Sequence, residues 1–177
     1  MVTIPPNVFS DAVREFWLTR ERQGKQQQER GHTDQGARSE VTGGQQMNGF
    51  AKVIVDLMKQ AGVPEADIYS GRRITDLPGY FRPMKEWDIV VVSNGQLIAA
   101  IELKSQVGPS FGNNFNNRTE EALGSAVDLW TAYREGAFQA SPQPWLGYLL
   151  LLEDCEASRR PVKIGRHHFN VFPEFHD

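Results

Sequence analysis

Glu102-Leu103-Lys104 is the only Glu-x-Lys triplet in this chain of 177 residues. Average composition produces such a triplet about once in 280 positions, so the triplet alone says little. Its setting says more. It lies in Leu97-Ile-Ala-Ala-Ile-Glu-Leu-Lys104, a strand-forming run in which alternate side chains leave the same face. Glu102 and Lys104 therefore share one face, while Ile101 and Leu103 point the other way, into a core. A second strand-forming run, Asp88-Ile-Val-Val-Val92, ends just before Ser93-Asn94-Gly95 and supplies another carboxylate. Two carboxylates and an ammonium on one sheet face suit hydrolysis of a phosphodiester. Asp88 and Glu102 offer hard oxygen ligands for Mg²⁺, with the carbonyl of Leu103 as a further ligand. Lys104 can position or help deprotonate the attacking water and offset developing charge. Gln106, next on the same face, can hold a phosphate or the water. The rival reading is a solvated, salt-bridged sheet face, worth at most ~1 kcal/mol. The apolar neighbours favour the catalytic reading, because three charges there without a ligand would cost stability.

Hairpin parity tests whether Asp88 can face Glu102. An Asn-Gly pair between two strand-forming runs marks a tight turn, since both residues tolerate positive φ. A two-residue loop, Asn94-Gly95, sets Asp88 opposite Ile101 and turns it away from Glu102. A three-residue loop, Ser93-Asn94-Gly95, sets Asp88 opposite Ala100, on the face of Glu102. The site therefore requires that loop or an equivalent β-bulge.

The elements that would carry this hairpin read as α/β. Ser10 and Asp11 open a helix through Phe16-Trp17-Leu18 that runs into a polar stretch to Arg30, an exposed helix end or arm. Residues 31–46 read as a loop. Phe50, Val53, Ile54, Leu57, Met58 and Ala61 fall at helical spacing, closed by Gly62 and Pro64. The stretch 68–83 is a strand region interrupted around Leu77-Pro78-Gly79. A later helix is expected to start near Asn117, with Ala122, Leu123, Ala126, Val127, Trp130 and Tyr133 as its buried stripe. Trp145 to Leu152 is apolar without alternation, as in a strand covered on both faces and paired in parallel. The expected fold class is α/β with a mixed central β-sheet flanked by helices. One domain over 1–177 fits the length: a helix and polar arm to 46, a core over 47–152 and an extension over 153–177.

Bulk properties set limits. A net charge of −3 leaves nucleic-acid binding to local patches. Within 71–85, Arg72, Arg73, Arg82 and Lys85 are opposed only by Asp76, and 159–168 carries Arg159, Arg160, Lys163 and Arg166 with no acid in that stretch. One cysteine, Cys155, rules out an internal disulfide framework and suits a reducing compartment. No signal-like leader or membrane-length apolar run is visible, so a cytoplasmic protein is expected. His167-His168 lacks a third ligand at metal-site spacing.

Helix, hairpin with Asp then Glu-x-Lys, helix and strand resembles the PD-(D/E)xK nuclease core, with Trp87-Asp88 in the place of the nominal Pro-Asp. Val41-Thr-Gly-Gly44, Leu77-Pro-Gly-Tyr-Phe-Arg-Pro83 and the Asn-rich run from Lys104 to Gly124 are similar to XhoI-type restriction enzymes. The resemblance covers about 16–175. It implies a type II restriction endonuclease: a homodimer that cuts double-stranded DNA with Mg²⁺ at a palindrome, CTCGAG, beside a DNA methyltransferase that protects host DNA. It also makes Asn113, Asn114, Asn116, Asn117 and Arg118 candidates for DNA contact, with Arg72, Arg73 and Arg82. Glu40 is a candidate supporting acid, since enzymes of this superfamily often recruit one from a helix. The chain departs from the family in three places. Asn48 stands where an Asp is usual, Gln45 where a Lys is usual, and the family continues beyond Phe175. These departures keep open a shortened, inactive DNA-binding relative, and the shared chemistry keeps open a structure-specific repair nuclease of the same fold.

Overall fold

The computed structural model describes residues 2–29, 44–71, 73–161, 165 and 168–175. Two helices pack on one face of a sheet. Helix α1 (Val8–Glu29) buries Ala12 and Phe16, and α2 (Asn48–Gln60) buries Gly49, Phe50 and Val53. The helices meet closely at Gly49, where a Cβ would come 2.9 Å from Glu15 Oε2 and 3.4 Å from the Ala12 backbone. The polar stretch after Leu18 continues α1 to Glu29, and residues 44–46 form a helical turn ahead of α2. The remainder of the expected 31–46 loop lies outside the described residues.

The sheet runs β1 (Ile68–Ser70), β4 (Ile89–Ser93), β5 (Gln96–Gln106), β6 (Trp145–Leu152) in that order. The first three strands are antiparallel, and β6 joins β5 in parallel, so the sheet is mixed. Strands β2 (Asp76–Pro78) and β3 (Met84–Glu86) form a separate hairpin. That hairpin is tied to the start of β4 by the Trp87 N–H donated to the Thr75 carbonyl.

Alternation on β4 and β5 divides the core between two faces. Ile89, Ile101 and Leu103 pack with Phe16, Met47 and Phe50 beneath α1 and α2. Val90, Leu97 and Ala100 pack with Trp87, Phe138 and two residues of α3 (Gly112–Arg134), Leu129 and Ala132. Each large apolar side chain fully buried in this way contributes about 1.5–3 kcal/mol. The expected mixed sheet flanked by helices is thus present. Among the described residues no helix is long and apolar enough to cross a membrane.

Helix α3 differs from expectation in two respects. It begins at Gly112, five residues before Asn117, so the Asn-rich run lies inside its first turns. Its buried stripe is Ser125, Asp128, Leu129 and Ala132, whereas Leu123, Val127 and Trp130 are exposed. The rotation follows from Asp128, which is drawn inward by hydrogen bonds from the distant β2–β3 hairpin.

Candidate active site

The β4–β5 hairpin brings the two acids together by a device that parity requires. Its loop has two residues, Asn94 (φ 52°) and Gly95 (φ 75°), with Ser93 paired to Gln96. A bulge follows: Val92 pairs with Leu97 but Val91 with Ala99, leaving Ile98 as the extra residue. The register is thereby moved by one. Ile89 pairs with Ile101, and Asp88 lies one step beyond, on the side of Glu102.

Local hydrogen bonds fix the end of the hairpin. The Asp88 N–H is donated to the Ile101 carbonyl, and the Leu103 N–H to Asp88 Oδ2 at 2.6 Å. Among the described residues the other oxygen of Asp88 takes no hydrogen bond. Burial raises the Asp88 pKa above the ordinary aspartate range, and the charge of Glu102 adds to the rise. The Leu103 N–H, Lys104 and Lys85 oppose it without cancelling it. A half-buried carboxylate with one open oxygen and an incomplete set of partners is suited to take up a cation.

Glu102 is more fully engaged. Its side chain is 7% exposed, and both oxygens face ammonium groups: Lys104 Nζ at Oε1, and Lys85 Nζ at Oε2, 2.7 Å away. Lys85 enters from β3 and lies with Nζ 4.4 Å from the centre of the buried Trp87 ring. Lys104 loses stabilisation by burial, but the attraction of Glu102, then Asp88 and Glu121, exceeds that loss and raises its pKa. It is therefore charged at neutral pH.

These groups line one open cleft of about 1190 Å³ between the start of α2 and the β2–β3 hairpin. Asp88, Glu102, Leu103 and Lys104 lie on it, with Asn48 and Lys52 on the α2 wall and Arg82 and Lys85 on the hairpin wall. The donor set fits Mg²⁺, which is commonly held by one or two carboxylates while substrate phosphate and water complete its shell. Asp88 and Glu102 provide the two carboxylates. No group of three or more His, Cys, Asp or Glu residues that could hold a metal occurs among the described residues.

The other expected residues are placed differently. Gln106 follows Glu102 and Lys104 in alternation but is buried, and its Nε2 donates to the Phe111 carbonyl at 2.7 Å. Its Oε1 has no partner. Gln106 thus anchors the approach to α3 and does not line the cleft. Asn113, Asn116 and Asn117 are exposed on the first turns of α3, and Asn114 is half-buried there. Arg118 pairs with Glu121 at 2.7 Å. Arg82 reaches the cleft while its Nε is donated to Asp128 Oδ2. Arg73 is exposed, with a left-handed backbone (φ 67°). Glu40 and Arg72 lie outside the described residues.

Sequence reasoning missed three contributors. Lys85 was visible only as part of a basic stretch, since its pairing with Glu102 needs the β2–β3 hairpin to fold back. Tyr148 is registered beside Glu102 on β6 and gives its hydroxyl hydrogen to the Arg118 carbonyl; burial and nearby acids raise its pKa. Asp128 holds the tip of the β2–β3 hairpin through the N–H groups of Tyr80 and Phe81, both at 2.8 Å, and through Arg82.

Comparison with known proteins bears on the whole assembly. A family model described as "Restriction endonuclease XhoI" matches residues 26–177. The type II restriction enzyme BstVI of Geobacillus stearothermophilus is 54% identical over 147 residues, 80% of this chain and 65% of the relative. AbrI of Azospirillum brasilense is 51% identical over 158 residues, 89% of this chain and 71% of the relative. XhoI of Xanthomonas vasicola is 48% identical over 164 residues, 92% of this chain and 65% of the relative. The chain thus spans about two thirds of the length of these curated relatives. No solved structure matches it. With the family model covering most of the sequence and relatives near half identity, the chain belongs to the XhoI restriction endonuclease family.

Proposed function

We propose that this chain carries the catalytic centre of a type II restriction endonuclease that hydrolyses DNA phosphodiesters at a palindrome, CTCGAG. The observation that carries the reading is the convergence of Asp88, Glu102 and Lys104 on one cleft wall, produced by the bulge at Ile98. Asp88 and Glu102 are the residues that would hold Mg²⁺, together with the Leu103 carbonyl. When bound, the ion would supply Lewis-acid activation of the phosphate and of water. Lys104, kept charged by its acidic neighbours, orients a water for attack and offsets charge on the phosphate.

The remaining residues bind and orient. Arg82 on the cleft wall and the exposed Arg73 contact phosphates, and the exposed amides of Asn113, Asn116 and Asn117, with Asn114 and Arg118, approach base edges or backbone. Asn48, on the α2 wall of the cleft, supports the metal through its amide in place of a carboxylate, and Glu40 serves as a further supporting acid. Cutting both strands of a palindrome needs two centres, so the active form is a two-fold homodimer. The exposed stripe Leu123, Val127 and Trp130 on α3 supports a partner surface of that kind. A methyltransferase that modifies the same sequence is the genetic partner, and the cytoplasm is where both meet DNA.

The test is plasmid cleavage with Mg²⁺, using DNA with one CTCGAG site and the same plasmid with that site mutated, and Lys104→Ala as control. Cutting confined to the site and lost in the control supports the reading. Cutting of both plasmids alike overturns site specificity. Binding of DNA without cutting overturns the enzymatic reading in favour of an inactive DNA-binding relative.

A further inference from the structure

Counting charge around Glu102 exposes a problem for metal loading. Asp88 and Glu102 bring two negative charges, Lys85 and Lys104 two positive ones, and the ionised cluster is formally neutral. Both oxygens of Glu102 are already taken by ammonium groups. A dication entering this cluster without DNA would need an oxygen of Glu102 and would leave a net charge of +2 in a partly buried place. Such a charge is unfavourable unless something negative arrives with it.

The two lysines are not equivalent. Glu102 is the only ion-pair partner of either lysine among the described residues, and Asp88 attracts both. Lys104 is attracted by Glu121 as well, and it lies on the same strand as Glu102, whereas Lys85 reaches across from β3. The Lys85 ammonium is also tethered, 4.4 Å from the Trp87 ring centre and 3.2 Å from the Glu86 carbonyl that accepts a hydrogen bond from it. Released from Glu102, it stays on the cleft wall it shares with Arg82, where a DNA phosphate would lie. A compact ammonium with three freely rotating donors exchanges one anionic oxygen for another at little geometric cost.

We propose that Lys85 is a resident counter-ion for Glu102: it occupies the carboxylate oxygen that a divalent cation must take, and yields it when DNA offers a phosphate in exchange. The proposal rests on the reading of Asp88 and Glu102 as a metal centre. It makes Lys85 a positioning residue that weakens metal binding in the absence of DNA and couples it to DNA binding. The coupling is reciprocal, since each ligand must strengthen the other by the same factor. An enzyme arranged in this way stays unloaded, and so harmless, until it is on DNA.

The experiment is calorimetric titration of Ca²⁺ into wild type, Lys85→Met, Lys85→Arg and Glu102→Gln, without DNA and with a duplex containing CTCGAG. The expected result is about tenfold tighter DNA-free binding for Lys85→Met, with Lys85→Arg close to wild type. The duplex then tightens Ca²⁺ binding less in Lys85→Met than in wild type, by about the same tenfold factor. A lysine that merely props Glu102 in place predicts the reverse: Lys85→Met weakens DNA-free binding. That result, or unchanged affinity, overturns the proposal. If Glu102→Gln abolishes binding while Lys85→Met shows no gain, the counter-ion role fails and the metal centre stands. If no protein shows binding that depends on Glu102, both fail together. Circular dichroism and thermal melting verify folding, and Lys85→Gln replaces the Met variant if that variant does not fold.

Discussion

Two carboxylate centres contact the β2–β3 hairpin, Asp128 at its tip and Asp88 with Glu102 at Lys85, and they are finished to different degrees. Asp128, on α3, has a side chain only 4% exposed. It accepts the N–H groups of Tyr80 and Phe81 on Oδ1 and the Arg82 Nε–H on Oδ2, at 2.7–2.8 Å. Burial alone would raise its pKa, but these three donors together outweigh burial and lower it. The Asp88–Glu102 centre has one backbone donor, an open oxygen and two lysines. There burial prevails, and the Asp88 pKa rises. The difference is one of partners. Fixed backbone donors and a guanidinium complete a carboxylate and make it a clamp. Ammonium groups on long stems leave it exchangeable and hence able to take up a ligand. The tight fit of the clamp is evident at Gly79, where a Cβ would come 2.6 Å from Asp128 Oδ2.

The largest expected effect comes from weakening the unfinished centre. Asp88→Asn should cut Mg²⁺-dependent cleavage by about a thousandfold. The fold should be no less stable, because a raised pKa means that at neutral pH the ionised Asp88 is held against its burial. Cleavage rates beside urea unfolding curves give both quantities, and a clear loss of stability in this variant would contradict the contrast. Asp128→Ala should do the opposite. Leaving two backbone N–H groups and a guanidinium without their acceptor should lower unfolding free energy by about 3 kcal/mol, or the melting temperature by roughly 10 °C. Calorimetry reads this directly; a shift within error would mean that the clamp is redundant.

The smallest effect is in pH dependence, and it has a definite sign. A carboxylate whose folded pKa is lowered stabilises the fold above the unfolded value, about 3.9, and loses that contribution as pH falls through the folded value. The stability difference between wild type and Asp128→Asn should therefore be constant from neutral pH to about pH 5 and shrink in more acidic solution. A difference that grew on acidification would assign the stabilisation to some other group.

How much of this was legible in the sequence followed from distance along the chain. Asp88, Glu102 and Lys104 fall within one hairpin, so strand alternation and turn chemistry sufficed to require either a longer loop or a bulge, and the bulge is present at Ile98. The helix of 48–60, the hairpin and the parallel strand 145–152 were visible for the same reason, since apolar pattern is local. Lys85 and Asp128 were not. Lys85 reaches Glu102 only because Pro78 and Met84 pair and fold the chain back. Asp128 reads as an exposed acid between Val127 and Trp130 until its donors, 46 to 48 residues earlier, are in place. A buried charged residue on a helix inverts the apparent apolar stripe, and sequence periodicity cannot reveal it. Gln106 was misplaced for a related reason: alternation gave its side, but the turn into α3 captured its amide.

The bulge at Ile98 also constrains which insertions and deletions the hairpin can survive. Ile98 is the extra residue of β5, without a partner of its own between Leu97 and Ala99. Deleting Ile98 alone would close the bulge and keep every later pairing, with Ala99 still opposite Val91 and Asp88 still beside Glu102. Deleting a second residue between Gln96 and Glu102 would find no bulge to absorb it, carrying Glu102 and Lys104 to the face beneath α1 and α2 and Leu103 into the cleft. The hairpin therefore holds one spare residue, and the facing of the two acids survives the loss of that position and of no other beside it.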